Sequence, residues 1–216
     1  MLVDVFKPIK LLSGSHADTG RTGRGCFMNV IAYLNGEPQI TDRSTCVCVV
    51  VRPLAIWIND YLMDSERHIL LPYIERAMGS ATRDQKELAK RARRAAKVAE
   101  EMLGLADIDP TAAVYAAEAA NAAAEAAQAT NVTDITTATA FTYAAQASAY
   151  AAKACTYAAK ASDYTAEAST SAVDTAYATA RESIIDSCLR FLDDCLPKVE
   201  TARQETIERA KSVALV

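Results

Sequence analysis

Apolar positions along this chain change their spacing twice, and the changes divide it into an arm, a short-helix region and a long-helix region. Residues 1–24 are rich in turn formers, from Pro8 through Ser13-Gly-Ser-His-Ala-Asp-Thr-Gly-Arg-Thr-Gly-Arg-Gly25, and read as an irregular arm. From Cys26 to Leu34 the apolar spacing predicts a short helix, stopped by Asn35-Gly36 and Pro38. Val47 opens a β-branched run that suits a strand, whereas Pro53 and the spacing of Leu54, Ile58, Tyr61 and Leu62 predict a helix from residue 53. A further helix is expected from Ser65, capped by Asp64 or Ser65, to Gly79. Pro72 lies inside it and should kink or split it.

Beyond Gly79 the pattern lengthens. Thr82-Arg-Asp-Gln85 has the form of a capping box and opens a helix to Leu103. Asp109-Pro110 supplies a cap and a first-turn proline for an Ala-rich helix to Ala129. A third helix, capped by Asn131 or Thr133, is expected to run unbroken to about residue 180. Larger apolar residues return between Ile184 and Leu196, and Pro197 separates a final amphipathic segment.

Residues 111–180 hold 30 alanines in 70 positions, and they repeat. Tyr143, Tyr150, Tyr157 and Tyr164 recur every seven residues, with Gln146, Lys153, Lys160 and Glu167 in step. Tyr115, Glu118 and Glu125 fall on the same phase. On a helix, each Tyr and the residues one and four positions later form one stripe, with Lys or Glu away from it. A seven-residue period of small residues implies closely packed helices. The expected fold is all-α: a small Cys/His-containing helical domain over 1–80, followed over 81–216 by an Ala-rich antiparallel helical bundle or coiled-coil hairpin.

Composition narrows the function classes. Charged residues make up 23% and aromatics 6%, which points to a soluble globular chain, neither disordered nor membranous. No run approaches the roughly 18 apolar residues a membrane span needs. The first residues lack the basic-then-apolar order of a signal peptide, so a cytoplasmic location is expected. Net charge is −4, which gives no bulk attraction to nucleic acid or anionic lipid. With no secretion signal, six cysteines are expected to be reduced.

Reactive side chains concentrate near the N-terminus. His16, Cys26, Cys46 and Cys48 make a sufficient ligand set for one structural zinc, although their spacing is not that of a standard finger. The plainer reading is that the cysteines are buried small apolar residues. A nucleophilic reading sets Cys26 at a helix N-terminus, its thiolate favoured by the dipole, with His16 as base and Asp42 as orienter. In the helix from Thr82, seven cations face two acids over residues 82–97, and Lys86, Lys90, Arg94 and Lys97 are spaced to share a face with Arg83. That face suits a small anion or a phosphate backbone. No aromatics interleave with it, and residues 163–211 carry 10 acids against 6 bases, so pairing within the chain is the competing expectation. Trp57 reads as a core residue before a polar helix end, Asn59-Asp60, and His68 as a surface or core-edge histidine.

Leu11-Leu12, Gly14-Ser-His16, Cys26-x-Met28, Ala32-Tyr33, Gly36-Glu37, Asp42, Cys46-x-Cys48, Asn59-Asp60, Arg67, Leu71-Pro72 and Gly79 occur in an order that resembles a family of small proteins from bacteriophages and bacteria. The match covers residues 11–79. The family pattern carries Glu where this chain has Asn29, and its members continue into Ala-rich helical tails. The resemblance implies a lineage and draws attention to His16, Cys26, Asp42 and Cys46, but it brings no activity. The leading functional expectation is a phage-derived, non-enzymatic helical protein that binds a protein partner or self-associates, acting on a host component. The alternatives are a zinc- or thiol-dependent enzyme centred on His16, Cys26, Cys46 and Cys48, and an anion or nucleic-acid binder using the basic helix.

Overall fold

The computed structural model describes residues 9–14, 23–103, 110–129, 137–167 and 171–198. Among them are seven α-helices and one two-stranded parallel ribbon, an all-α fold built around a helical bundle. The chain divides into two compact units. One holds the described residues of Met1–Cys48, Ala55–Ala81 and Leu196–Val216, and the other those of Val49–Leu54 and Thr82–Cys195.

In the first unit, β1 (Lys10–Leu11) pairs in parallel with β2 (Arg24–Gly25), a ribbon that the turn-rich composition of the arm conceals. Helix α1 (Phe27–Leu34) follows at once and buries Phe27, Met28, Val30 and Ile31 completely. Helix α2 (Val51–Tyr61), whose residues from Ala55 belong to this unit, begins within the β-branched run, so no strand forms there: Val47 lies in a bend and Val49-Val50 in a turn, and Val47, Val50 and Val51 are fully buried. Burial, not strand propensity, accounts for those valines. Pro72 splits the next segment as expected. A 3-10 turn over Arg67–Leu70 precedes α3 (Leu71–Ala77), with the proline in the first turn of α3, where its missing N–H costs nothing. Gly79 takes φ +79° just past that helix, a conformation that needs glycine.

The second unit holds the long helices. Helix α4 (Gln85–Leu103) buries Leu88, Ala92, Ala95, Ala99 and Met102 along one stripe at helical spacing. Its cap is Asp84, not Thr82. The Asp84 carboxylate accepts from Lys86 N at 2.9 Å and Glu87 N at 3.4 Å, while Thr82 Oγ1 accepts from Asp84 N at 3.0 Å. Helix α5 is Pro110–Ala129 and α6 is Thr137–Glu167. Helix α7 is Ser171–Cys195 and takes in the apolar stretch from Ile184; the expected run to residue 180 passes through residues 168–170, which lie outside the described residues, as do its expected caps Asn131 and Thr133.

Cross-helix contacts set the direction of two of these helices: Arg94 of α4 meets Asp194 of α7 and Glu101 meets Ser187, so α4 and α7 run antiparallel. The seam between α5 and α6 is nearly all alanine: Ala112, Ala116, Ala119, Ala123 and Ala126 against Ala140, Ala144, Ala147, Ala151, Ala154 and Ala158. Larger side chains from α4 (Leu88, Met102) and α7 (Ile184, Phe191, Leu192) complete the core. No described helix is long and apolar enough to cross a membrane.

Candidate functional site

Cys26 is the N-cap of α1, as the nucleophilic reading requires, but its surroundings oppose a thiolate. The side chain is 2% exposed. Burial pushes its thiol above the ordinary range. The helix-end amides of Asn29 and Met28 pull the other way without prevailing, and the Asp60 and Asp42 carboxylates add to the rise. Asp42 therefore acts as a charge that disfavours the anion. The thiol donates to Asn29 Oδ1 at 3.1 Å, and Asn29 is fully buried. Gly25 allows this closeness, because a Cβ there would sit 2.8 Å from Asn29 Cβ.

Asn59 and Asp60 hold this corner together. Asn59 Oδ1 accepts the otherwise orphaned Phe27 N of α1 at 3.2 Å, and its Nδ2 donates to Leu12 O at 2.8 Å and Asp60 Oδ1 at 3.0 Å. Asp60 Oδ1 in turn accepts from Gly14 N at 2.7 Å and Ser13 Oγ at 3.4 Å. Arg67 Nε donates to Asn59 O at 2.8 Å and its guanidinium pairs with Asp64. The Asn-Asp pair expected only to end a helix is thus the clamp that ties the arm and α1 to α2. Trp57 is half-buried and stacks on Tyr61 with centroids 4.6 Å apart, so it edges the core instead of filling it. His68 is exposed and its Nδ1 lies 2.8 Å from Ser65 O.

Cys46 and Cys48 sit in a second corner of the same unit. Glu37 Oε1 accepts from Ser44 Oγ at 2.5 Å, Asn35 Nδ2 at 3.0 Å and Thr45 N at 3.2 Å. Ser44 Oγ is also 3.2 Å from the partly exposed Cys46 Sγ. With the Ser44 proton committed to Glu37, the Cys46 thiol is the donor in that contact. The backbone on either side is an anchor: Ala81 N donates to Cys46 O at 3.0 Å and Cys48 N to Ser80 Oγ at 3.1 Å. Cys48 is 1% exposed. Of the zinc candidates, His16 lies outside the described residues, and among those described no three His, Cys, Asp or Glu side chains converge as a metal set. Spacing alone gave no way to foresee the Glu37–Ser44 contact.

The basic helix spends much of its charge inside its own unit. Arg91 is buried and pairs with Glu87 at 2.9 Å, with Lys90 3.6 Å from the same carboxylate. Arg94 pairs with Asp194 of α7, and Glu101 binds both Ser187 and Arg190 of α7 at 2.6 and 2.9 Å. Lys86 and Lys97 remain exposed, Lys97 beside a small groove of about 80 Å³ shared with Arg94 and Arg190.

A wider concavity lies on the α5–α6 hairpin. Tyr115 stacks on Tyr150 and Tyr157 at 6.4 and 5.3 Å, and Lys153 lies over the Tyr115 and Tyr150 rings at 5.1 and 5.4 Å. Lys160 caps Tyr157 at 5.2 Å. Past this ladder a groove of about 480 Å³ opens, lined by Glu118, Asn121, Glu125, Gln128, Gln146 and Tyr150. The lysines on this side are turned onto tyrosine rings, while both carboxylates and three carboxamides face the groove. No known protein family, curated protein or solved structure matches the chain.

Proposed function

We propose that this is a non-enzymatic binding protein whose α5–α6 hairpin captures a basic segment of another protein. The observation that carries this reading is the groove itself. Glu118 and Glu125 stand one heptad apart on one wall, with Asn121 and Gln128 in the same step and Gln146 and Tyr150 on the other. A row of carboxylates and carboxamides at helical spacing suits an extended or helical cationic segment, which offers donors at a matching repeat. The same charge disfavours two copies docking groove to groove, because that would bring four carboxylates together. The buried and raised Cys26 thiol supports a structural role for the N-terminal corner. The resemblance of residues 11–79 to phage and bacterial proteins supports a host component as the partner.

The reading is tested by titrating the protein with a lysine-rich helical peptide and following the heat of binding. Glu118→Lys with Glu125→Lys should abolish the signal. Glu100→Lys with Glu182→Lys, which changes net charge equally at exposed sites elsewhere, should leave most of it. Equal loss in both variants would mean that bulk charge, and not this groove, holds the peptide.

A further inference from the structure

The groove ends against two rings that already hold a cation. Tyr150 lines the groove and stacks on Tyr115, their centroids 6.4 Å apart and their planes 24° from parallel. Lys153 Nζ lies 5.4 Å from the Tyr150 centroid and 5.1 Å from that of Tyr115 on the opposite helix. Ring faces converging on one ammonium make a seat for a cation. The seat continues the row of carboxylates. Tyr115 precedes Glu118 by three positions and Glu118 precedes Glu125 by seven, so all three share a face of α5. At helical rise the seat lies about 4.5 Å beyond Glu118, on a row whose two carboxylates stand about 10.5 Å apart.

Given a groove that takes a basic segment, we propose that the Tyr115–Tyr150 seat is its third cation subsite and that Lys153 is a built-in competitor for it. In the free chain the Lys153 ammonium fills the seat. A bound segment that meets Glu125 and Glu118 presents its next cationic side chain to these rings. Two cations at one seat repel, so Lys153 leaves as the incoming group enters. Its position permits this: Lys153 is exposed, and a flexible four-carbon stem lets its ammonium swing into water.

The exchange lowers the affinity that the groove would otherwise have. The seat is open only in the fraction of molecules whose Lys153 points into solvent, and the apparent affinity falls by that fraction. A segment with cations opposite the carboxylates alone leaves Lys153 in place and gains nothing from the rings. Lys160 has the same chemistry in a different place. Its Nζ lies 5.2 Å over Tyr157, a ring outside the lining of the groove, so its removal opens no subsite.

The test titrates the full chain with a lysine-rich helical peptide and compares two variants of equal charge. Lys153→Met, which keeps an unbranched side chain of good helix propensity, should tighten binding roughly three- to tenfold. Lys160→Met removes the same charge from the same ladder and should change binding little. Adding Tyr150→Leu to Lys153→Met should abolish the gain. A second readout needs no variant to fold. In the isotope-labelled wild-type chain, ring currents shift the Lys153 ε-methylene signals upfield, and saturation with unlabelled peptide should return them to the position of solvated lysine. Equal gains from Lys153→Met and Lys160→Met would assign the effect to bulk charge, and Lys153 signals unmoved at saturation would leave the competitor in its seat. Either result overturns the proposal, while binding that still depends on Glu118 and Glu125 would uphold the groove without it. Absence of binding by both the wild-type chain and Lys153→Met would remove the groove and the seat together.

Discussion

At the scale of single residues, the N-terminal corner is built by groups whose roles are structural. Gly25 is required by distance: alanine there would drive its methyl to 2.8 Å from Asn29 Cβ. Gly25→Ala should cost about 1–3 kcal/mol, measured by urea denaturation, even though its φ is ordinary. Asn59→Ala removes the acceptor for Phe27 N and the donor to Leu12 O together, and should cost roughly 2–4 kcal/mol by the same measurement. Cys26 gives a pH signature. Its folded thiol ionises above the ordinary range while the unfolded thiol ionises near 8.5. Between those values the unfolded state binds fewer protons, so this stabilising contribution is complete below about pH 8 and fades as pH rises. Alkylation of Cys26 in the native chain should therefore inflect above the pH at which Cys26 of the urea-unfolded chain reacts. Inflection at or below that pH would reinstate an activated nucleophile. Sequence marked Cys26 as a helix N-cap correctly, since Cys precedes an apolar run. It could not show that Asp60, 34 positions away, reinforces burial against the thiolate.

At the scale of elements, most boundaries followed local rules and the misses have local causes. Pro72 and Gly79 placed the split and the stop because each fixes a backbone conformation on its own. The valine run at 47–51 misled because β-branched residues suit any buried site, and here they line a turn and a helix start. The seven-residue tyrosine repeat was legible, but its partner across the hairpin was not, since Tyr115 meets Tyr150 and Tyr157 only after folding. Tyr115→Ala should remove two ring contacts and the seat of Lys153 and lower stability by about 1–2 kcal/mol. Tyr115→Phe, which retains the ring, should lose little, and equal losses in the two variants would argue against the ladder. Thermal denaturation of the pair reads the difference.

At the scale of the molecule, small residues explain both the architecture and the proposed role. An alanine seam brings α5 and α6 close without large anchors, and the core relies on α4 and α7 for bulk. The hairpin's outer face is then available for a polar groove. The basic helix, an attractive anion site when read in isolation, shares ion pairs with α7. The excess of acids in residues 163–211 foreshadowed that pairing. Composition could not say which cations would pair, because that depends on the antiparallel register of α4 and α7. The measurement that tests the central claim most directly is photo-crosslinking from position 121, at the middle of the groove, in a cell extract. It would be run on the otherwise wild-type chain and on the two charge-matched double variants. The account predicts one discrete heterologous adduct, retained with Glu100→Lys/Glu182→Lys and lost with Glu118→Lys/Glu125→Lys. An adduct indifferent to Glu118 and Glu125, or one made only between copies of the chain, would contradict it.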